Sequence, residues 1–140
     1  MKVVVDTNVF VSALRSRTGA SRALLRACLS GGLHPCISLA LFAEYRDVMG
    51  RAALFVGCPI NEDKRAALLD AFLSVCQMTE VYYLWRPNLT DEADNHLIEL
   101  AVAAQAEVVV THNRSDFRQG QLRFPGIHIR SPAELLKEAF

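Results

Sequence analysis

Four carboxylates stand where a plain surface role explains them least: Asp6, Glu44, Asp94 and Asp116. Asp6 directly follows the apolar run Val3-Val4-Val5. Asp94 precedes Leu97 by three residues and Ile98 by four, a spacing that puts it on the core-facing side of a helix. Glu44 lies between Leu41 and Val48, at the edge of another apolar helical face. A carboxylate so placed loses water, and either its pKa rises or it draws a cation. Thr111-His112-Asn113 follows a second valine run, Val108-Val109-Val110, with Asp116 three positions beyond Asn113. No lysine or histidine stands at a position expected to neutralise Asp6, Glu44 and Asp94 if they converge. Oxygen-only donors suit Mg²⁺ or Mn²⁺ rather than zinc. Such ions acidify water and clamp phosphate oxygens, which is the chemistry of metal-assisted phosphodiester hydrolysis.

Each residue also has a plainer role. Asp6 could cap a helix. Asp94 could serve the dipole of a first turn, or form a capping pair with Asp91. Glu44 could be solvated, and Asn113 and Asp116 could shape a turn. Joint placement at strand ends and on inward helix faces is what favours a site.

The elements that must position these residues follow from periodicity. Lys2–Val5 is expected as a buried strand, Val9–Arg15 and Ser21–Leu29 as helices, and His34–Ile37 as a short strand. Ser38 caps a helix over Leu39–Met49, with Leu41, Tyr45 and Val48 on its apolar face. Asn61–Gln77 reads as a helix with Asn61 as cap, acidic Glu62 and Asp63 in the first turn, and Leu68, Leu69, Phe72 and Val75 inward. Thr79–Leu84 is expected as a strand, Pro87–Asp91 as a loop and Glu92–Gln105 as a helix. Glu107–Thr111 is expected as a buried strand, His112–Pro125 as a polar loop and Ile127–Ile129 as a last strand. Ser131-Pro132 opens a terminal helix. Strands apolar on both faces alternating with helices indicate an α/β fold: a three-layer α/β/α sandwich around a mostly parallel sheet.

Composition bounds the rest. A chain of 140 residues that is 51% hydrophobic and 21% charged is expected to be one folded domain over 1–140. Lys plus Arg and Asp plus Glu number 15 each, so nucleic-acid contact would need a local basic rim rather than a global field. Cys28, Cys36, Cys58 and Cys76 form no CxxC pair and are expected as reduced thiols. His34, His96, His112 and His128 match no zinc motif. Asp6 and Asn8 interrupt the first apolar run, so no signal peptide is expected, and no run of apolar residues is long enough to span a membrane. A cytoplasmic location is the expectation.

Four segments resemble the PIN domain family, and within it the prokaryotic, VapC-like toxin components of toxin–antitoxin systems. They are Val3-Val4-Val5-Asp6-Thr7-Asn8-Val9, the helix from Ser38 through Glu44 to Val48, Asp91 through Asp94 to Ala101, and Val109-Val110-Thr111-His112-Asn113-Arg114-Ser115-Asp116-Phe117. The likeness runs from Lys2 to the terminal helix, with all four segments in order. It implies a Mg²⁺- or Mn²⁺-dependent endoribonuclease, frequent homodimers and an antitoxin partner. Asp6, Glu44 and Asp94 take the family's first three acidic places. The fourth holds Asn113, with Asp116 close enough to substitute, and Ala93 stands where relatives often carry Asp. On this reading Thr7, Asn8, Asp91, Thr111 and Asn113 support the ligands. Arg114 and Arg118 are candidates for RNA phosphate contact, and Arg15, Arg17, Arg22 and Arg26 for a basic rim.

Two other functions compete. A phosphohydrolase of the haloacid-dehalogenase type needs an Asp two positions after the first, where Asn8 stands, and a lysine before the final acidic motif, for which Lys64 and Lys137 are poorly placed. A PIN-fold binding module with weak or no catalysis is the second, and Asn113 and the zero net charge favour it. Mn²⁺ affinity at the three carboxylates separates module from enzyme.

Overall fold

Val3, Val4 and Val5 are at most 3% exposed, as are Val108, Val109 and Val110. Runs of β-branched residues buried on both faces are the signature of central strands in a parallel sheet. The structure, a computed structural model, describes residues 1–81, 92–117 and 124–140, with the side chains of 92–95, 115 and 116 outside the described set. The strands are β1 (Lys2–Val5), β2 (His34–Ile37), β3 (Gln77–Met78), β4 (Val108–Val110) and β5 (His128–Arg130). They form one sheet in the order β3-β2-β1-β4-β5, and every pairing is parallel.

Among the described residues six α-helices cover the sheet: α1 (Thr7–Arg15), α2 (Ala20–Ser30), α3 (Leu39–Met49), α4 (Glu62–Val75), α5 (Glu92–Ala104) and α6 (Pro132–Ala139). Helix α5 lies against β1, β2 and β4, while α1, α2, α4 and α6 pack among themselves. Layers of helix, sheet and helix give the expected sandwich. Ser38 caps α3 through Leu41 N, Asn61 caps α4 through Lys64 N, and Ser131 with Glu134 forms a capping box on α6. Gly31 ends α2 at φ 90°, a left-handed conformation in which a side chain would be strained. All four cysteines are free thiols; Cys28 and Cys36 are buried, and Cys58 and Cys76 half-buried. Burial pushes the thiols of Cys28 and Cys76 up to about 12. No helix among the described residues is long and apolar enough to cross a membrane.

The expected elements shift in four places. Helix α1 starts at Thr7 rather than Val9. Helix α4 ends at Val75, with Cys76 already extended, and Val75 is 39% exposed rather than inward. The strand expected at Thr79–Leu84 begins earlier: Gln77 and Met78 pair with Cys36 and Ile37, and Thr79 N donates to Ile37 O at 2.8 Å. The capture is tertiary, because β2 offers its free edge to whichever residues α4 delivers. The second half of the expected strand, from 82 onward, lies outside the described residues, as does the loop at 87–91. The loop after β4 is not fully irregular, since Arg114–Phe117 forms a 3₁₀ turn that buries Phe117.

Candidate active site

Ligands in open α/β sheets bind outside the carboxyl ends of the strands, where the strand order reverses. Here the order runs outward from β1 to β2 and β3 on one side and to β4 and β5 on the other, so the reversal lies between β1 and β4. Val5 pairs with Val110 in register. The next residues on the two strands, Asp6 and Thr111, are therefore brought together by the ladder itself, and Asp6 N still donates to Val110 O at 2.9 Å.

Asp6 stands at the N-cap of α1 but makes no side-chain cap bond. Its Oδ2 instead accepts the Thr111 hydroxyl at 2.8 Å, and its Oδ1 has the long 3.5 Å approach of the Thr7 hydroxyl. The helix-cap role open to Asp6 in the sequence is thus not the one the carboxyl group takes. Thr111, fully buried, accepts in turn from Asn8 Nδ2 at 3.4 Å and from Asn113 N at 3.1 Å. His112 N donates to Asn8 Oδ1 at 3.4 Å. Thr7 and Thr111 therefore meet the carboxylate through hydroxyl groups, and Asn8 and Asn113 brace Thr111 behind it.

Glu44 reaches the same place from α3. Tyr45, the next residue, is buried among Phe10 and Phe72, and its hydroxyl donates to Val5 O at 2.7 Å. That bond ties α3 to the last residue of β1 and sets Glu44 beside Asp6. Burial is the main cause that raises the Asp6 pKa above the usual carboxylate value, and repulsion by Glu44 adds to it. The Thr111 hydroxyl, the Thr7 backbone and His96 pull the other way without cancelling it.

His96 corrects the expectation that no basic side chain faces the carboxylates. It projects from α5, and its Nε2 lies 2.9 Å from Glu44 Oε2. Tyr45 and His96 were both missed as site residues. Tyr45 reads as an apolar-face residue, although a phenol on a buried face needs a hydrogen-bond partner and so signals an anchor. His96 sits two residues after Asp94, and nothing in the helical spacing marks it. Glu99, one turn further along α5, is a carboxylate buried at 2% exposure.

The other predicted residues divide. Asp94 belongs to the first turn of α5, and the burial of Leu97 and Ile98 agrees with the face expected for that helix, but its side chain lies outside the described residues. Asp116 falls in the 3₁₀ turn, with its side chain likewise outside them, and Asp91 and Arg118 are wholly outside. Arg114 pairs with Glu134 at 2.7 Å. Of the rim arginines, Arg22 is committed, its Nε donating to Ala13 O at 2.7 Å, whereas Arg15, Arg17 and Arg26 are exposed.

The PIN domain family model matches residues 2–115. The chain belongs to the PIN domain family. No curated protein matches it. Among solved structures, a chain of VapBC2 from Rickettsia felis, crystallised with a DNA fragment from its promoter, superposes with a TM-score of 0.59 at 18% identity. The match covers 94% of this chain and 98% of that one, and it shows the shared PIN fold.

A divalent cation is the group this fold implies. Among the described residues no three or more of His, Cys, Asp and Glu are gathered closely enough to hold one. The donor chemistry nonetheless fits. Asp6 and Glu44 are oxygen donors near enough to repel each other, and Asp6 is desolvated. A hard cation would relieve both costs.

Proposed function

We propose that this PIN domain, taken as one domain over 1–140, is a Mg²⁺- or Mn²⁺-dependent endoribonuclease and the toxin of a toxin–antitoxin pair. The observation that carries the reading is the desolvated Asp6 beside Glu44 at the β1/β4 switch point, a pair of like charges held together at a folding cost. Such a cost is retained where charge is used. Asp6 and Glu44 would hold the cation, with Asp94 and Asp116 as further ligands. When bound, the cation supplies acidified water and neutralises phosphate charge. The chain's own residues do the rest. Thr111 fixes Asp6 Oδ2. Asn8 locks Thr111 and the backbone of His112 into one rigid corner. Tyr45 holds Glu44 at its distance through Val5. Arg114 and Arg118, which flank Asp116 in the chain, are the candidate phosphate contacts.

The fold shared with a VapBC2 chain supports an antitoxin partner; a homodimeric assembly and a cytoplasmic location belong to the same proposal. The alternative, a weakly catalytic binding module, rests on the bond between His96 and Glu44, which gives one carboxylate a partner without any cation.

Purified protein is incubated with mixed single-stranded and structured RNA under Mn²⁺, Mg²⁺ or EDTA, beside an Asp6→Asn, Asp94→Asn double variant. Cleavage with metal alone that vanishes in the variant supports the enzyme. Cleavage that persists in the variant removes that support. No cleavage by folded protein, together with no Mn²⁺ binding, favours the module.

A further inference from the structure

A concavity opens along α1, starting at the Asn8 that braces the Asp6 corner. It is a cavity of about 320 Å³ lined by Asn8, Val11, Ser12, Arg15 and Ser16, which follow one face of α1 and its end. Its size is at the low end for ligand sites, right for a single sugar–phosphate or base rather than an extended molecule. Its inner end is Asn8, which is bonded through Thr111 to Asp6. Its outer end is Arg15, exposed and without an ion pair among the described residues. Between them stands the Ser12 hydroxyl, likewise without a bond to another side chain among the described residues, while Ser16 Oγ is spent on Thr18 O.

We propose that this cavity is an RNA subsite, in which Arg15 contacts the phosphodiester next to the scissile one and Ser12 contacts the sugar or phosphate between them. The assignment rests on the ribonuclease reading above and deepens it. Asn8 and Arg15 are seven residues apart, so about 10 Å of helix separates them. That is too far for Arg15 to share a phosphate held at Asp6, but suits a neighbouring linkage of the same strand. The structure also distinguishes the four rim arginines. Arg22 is tied to Ala13 O, and Arg17 and Arg26 line no part of this cavity. A net charge of zero makes one well-placed cation matter more, since no global field holds the strand. The plainer role for Arg15, a cation in the last turn of α1 that complements the helix dipole, would show in stability and not in RNA binding.

The test uses full-length protein and a short fluorescent single-stranded RNA that the wild type cleaves. Binding in EDTA is followed by anisotropy across a salt series, and cleavage with Mn²⁺ gives kcat and KM. Arg15→Gln is expected to weaken binding about fivefold. It should lower the slope of log affinity against log salt by about 0.7, one phosphate contact on a single strand. KM should rise with kcat nearly unchanged. Arg15→Lys should recover part of the affinity, Ser12→Ala should raise KM less, and Lys64→Gln, an exposed cation on α4, should change nothing. Arg15→Gln with wild-type affinity, slope and KM, in a protein that cleaves RNA, overturns the subsite alone. Arg15→Gln that instead loses only melting temperature reduces Arg15 to a dipole partner. Wild type that neither binds nor cleaves any RNA overturns the ribonuclease reading, and the subsite with it. If Arg15→Gln spares RNA but weakens binding of an acidic protein partner, the cavity belongs to that partner instead.

Discussion

The two flanks of the site are built in different ways. On the β4 flank, Asp6, Thr111, Asn8 and the His112 backbone form a closed hydrogen-bonded corner at the ends of two adjacent, fully buried strands. On the helical flank, Glu44 and His96 meet across α3 and α5, with side chains 33% and 16% exposed. The strand register dictates the first corner: once Val5 faces Val110, Asp6 and Thr111 have little freedom to miss each other. The second depends on how two helices dock, and its fixed point is the bond of the Tyr45 hydroxyl to Val5 O. Rigidity is therefore expected to be concentrated at Asp6, and adjustability at Glu44.

The largest effect should come from Asp6→Asn. RNA cleavage is expected to fall at least a hundredfold, because the desolvated carboxylate is lost while the shape remains. Stability should move the opposite way. An acid whose pKa is higher in the folded than in the unfolded state favours folding below its unfolded pKa, and this benefit is lost as pH rises through the folded value. Burial raises Asp6 in that way. In EDTA the wild type should therefore lose melting temperature as pH rises from the acidic range toward neutrality. Asp6→Asn should flatten that loss and melt higher at pH 7, on the order of 1 kcal/mol or a few degrees. Calorimetry across pH checks it. A variant that melts lower at every pH would show that the carboxylate is fully stabilised by its corner.

Thr111→Val should come next. Valine keeps the shape but leaves Asp6 Oδ2, Asn8 Nδ2 and Asn113 N without the shared hydroxyl. The expected cost is about 2–3 kcal/mol of stability, since unmade buried bonds carry a desolvation penalty. A tenfold to hundredfold loss of cleavage is expected as well, the usual scale for a group that orients a ligand. Denaturant melts and kinetics read both. A variant stable as wild type would mean that the corner is held by the strands alone.

Tyr45→Phe is the matching test on the helical flank. It removes one bond, to Val5 O, from an otherwise intact aromatic cluster with Phe10 and Phe72. About 1 kcal/mol is expected in a urea melt. The informative reading is Mn²⁺ titration, in which affinity should weaken because Glu44 is no longer registered to β1. Unchanged Mn²⁺ affinity would place the control of Glu44 elsewhere on α3.

The same contrast governs what could be read from the residues. The valine runs specify their strands, their centrality and their adjacency, because burial on both faces leaves few alternatives. The β4 flank follows from them, and Thr111 and Asn8 were legible as supports for Asp6. Hydrophobic spacing also gave α3 and α5. It did not give the contact between them, since docking angle and rotamer are not encoded in a helical repeat, and so His96 was missed. The edge at β3 failed for a related reason. Gln77 and Met78 are both exposed, and only the free edge of β2 makes them a strand.

His96→Gln is the smallest and sharpest test. The pair with Glu44 is partly exposed, so its loss should cost about 0.5 kcal/mol and little melting temperature. Its consequence lies in competition. His96 contributes positive charge that lowers the Asp6 pKa, and its Nε2 stands on the oxygen Oε2 that a cation would also approach. With glutamine there, the repulsion of an incoming cation is lost while a hydrogen bond to Glu44 remains possible. Mn²⁺ affinity measured calorimetrically should therefore rise. Weaker binding would make His96 an orienting partner of Glu44, as rigid in its effect as Thr111 is for Asp6, and the two flanks would differ in location but not in kind.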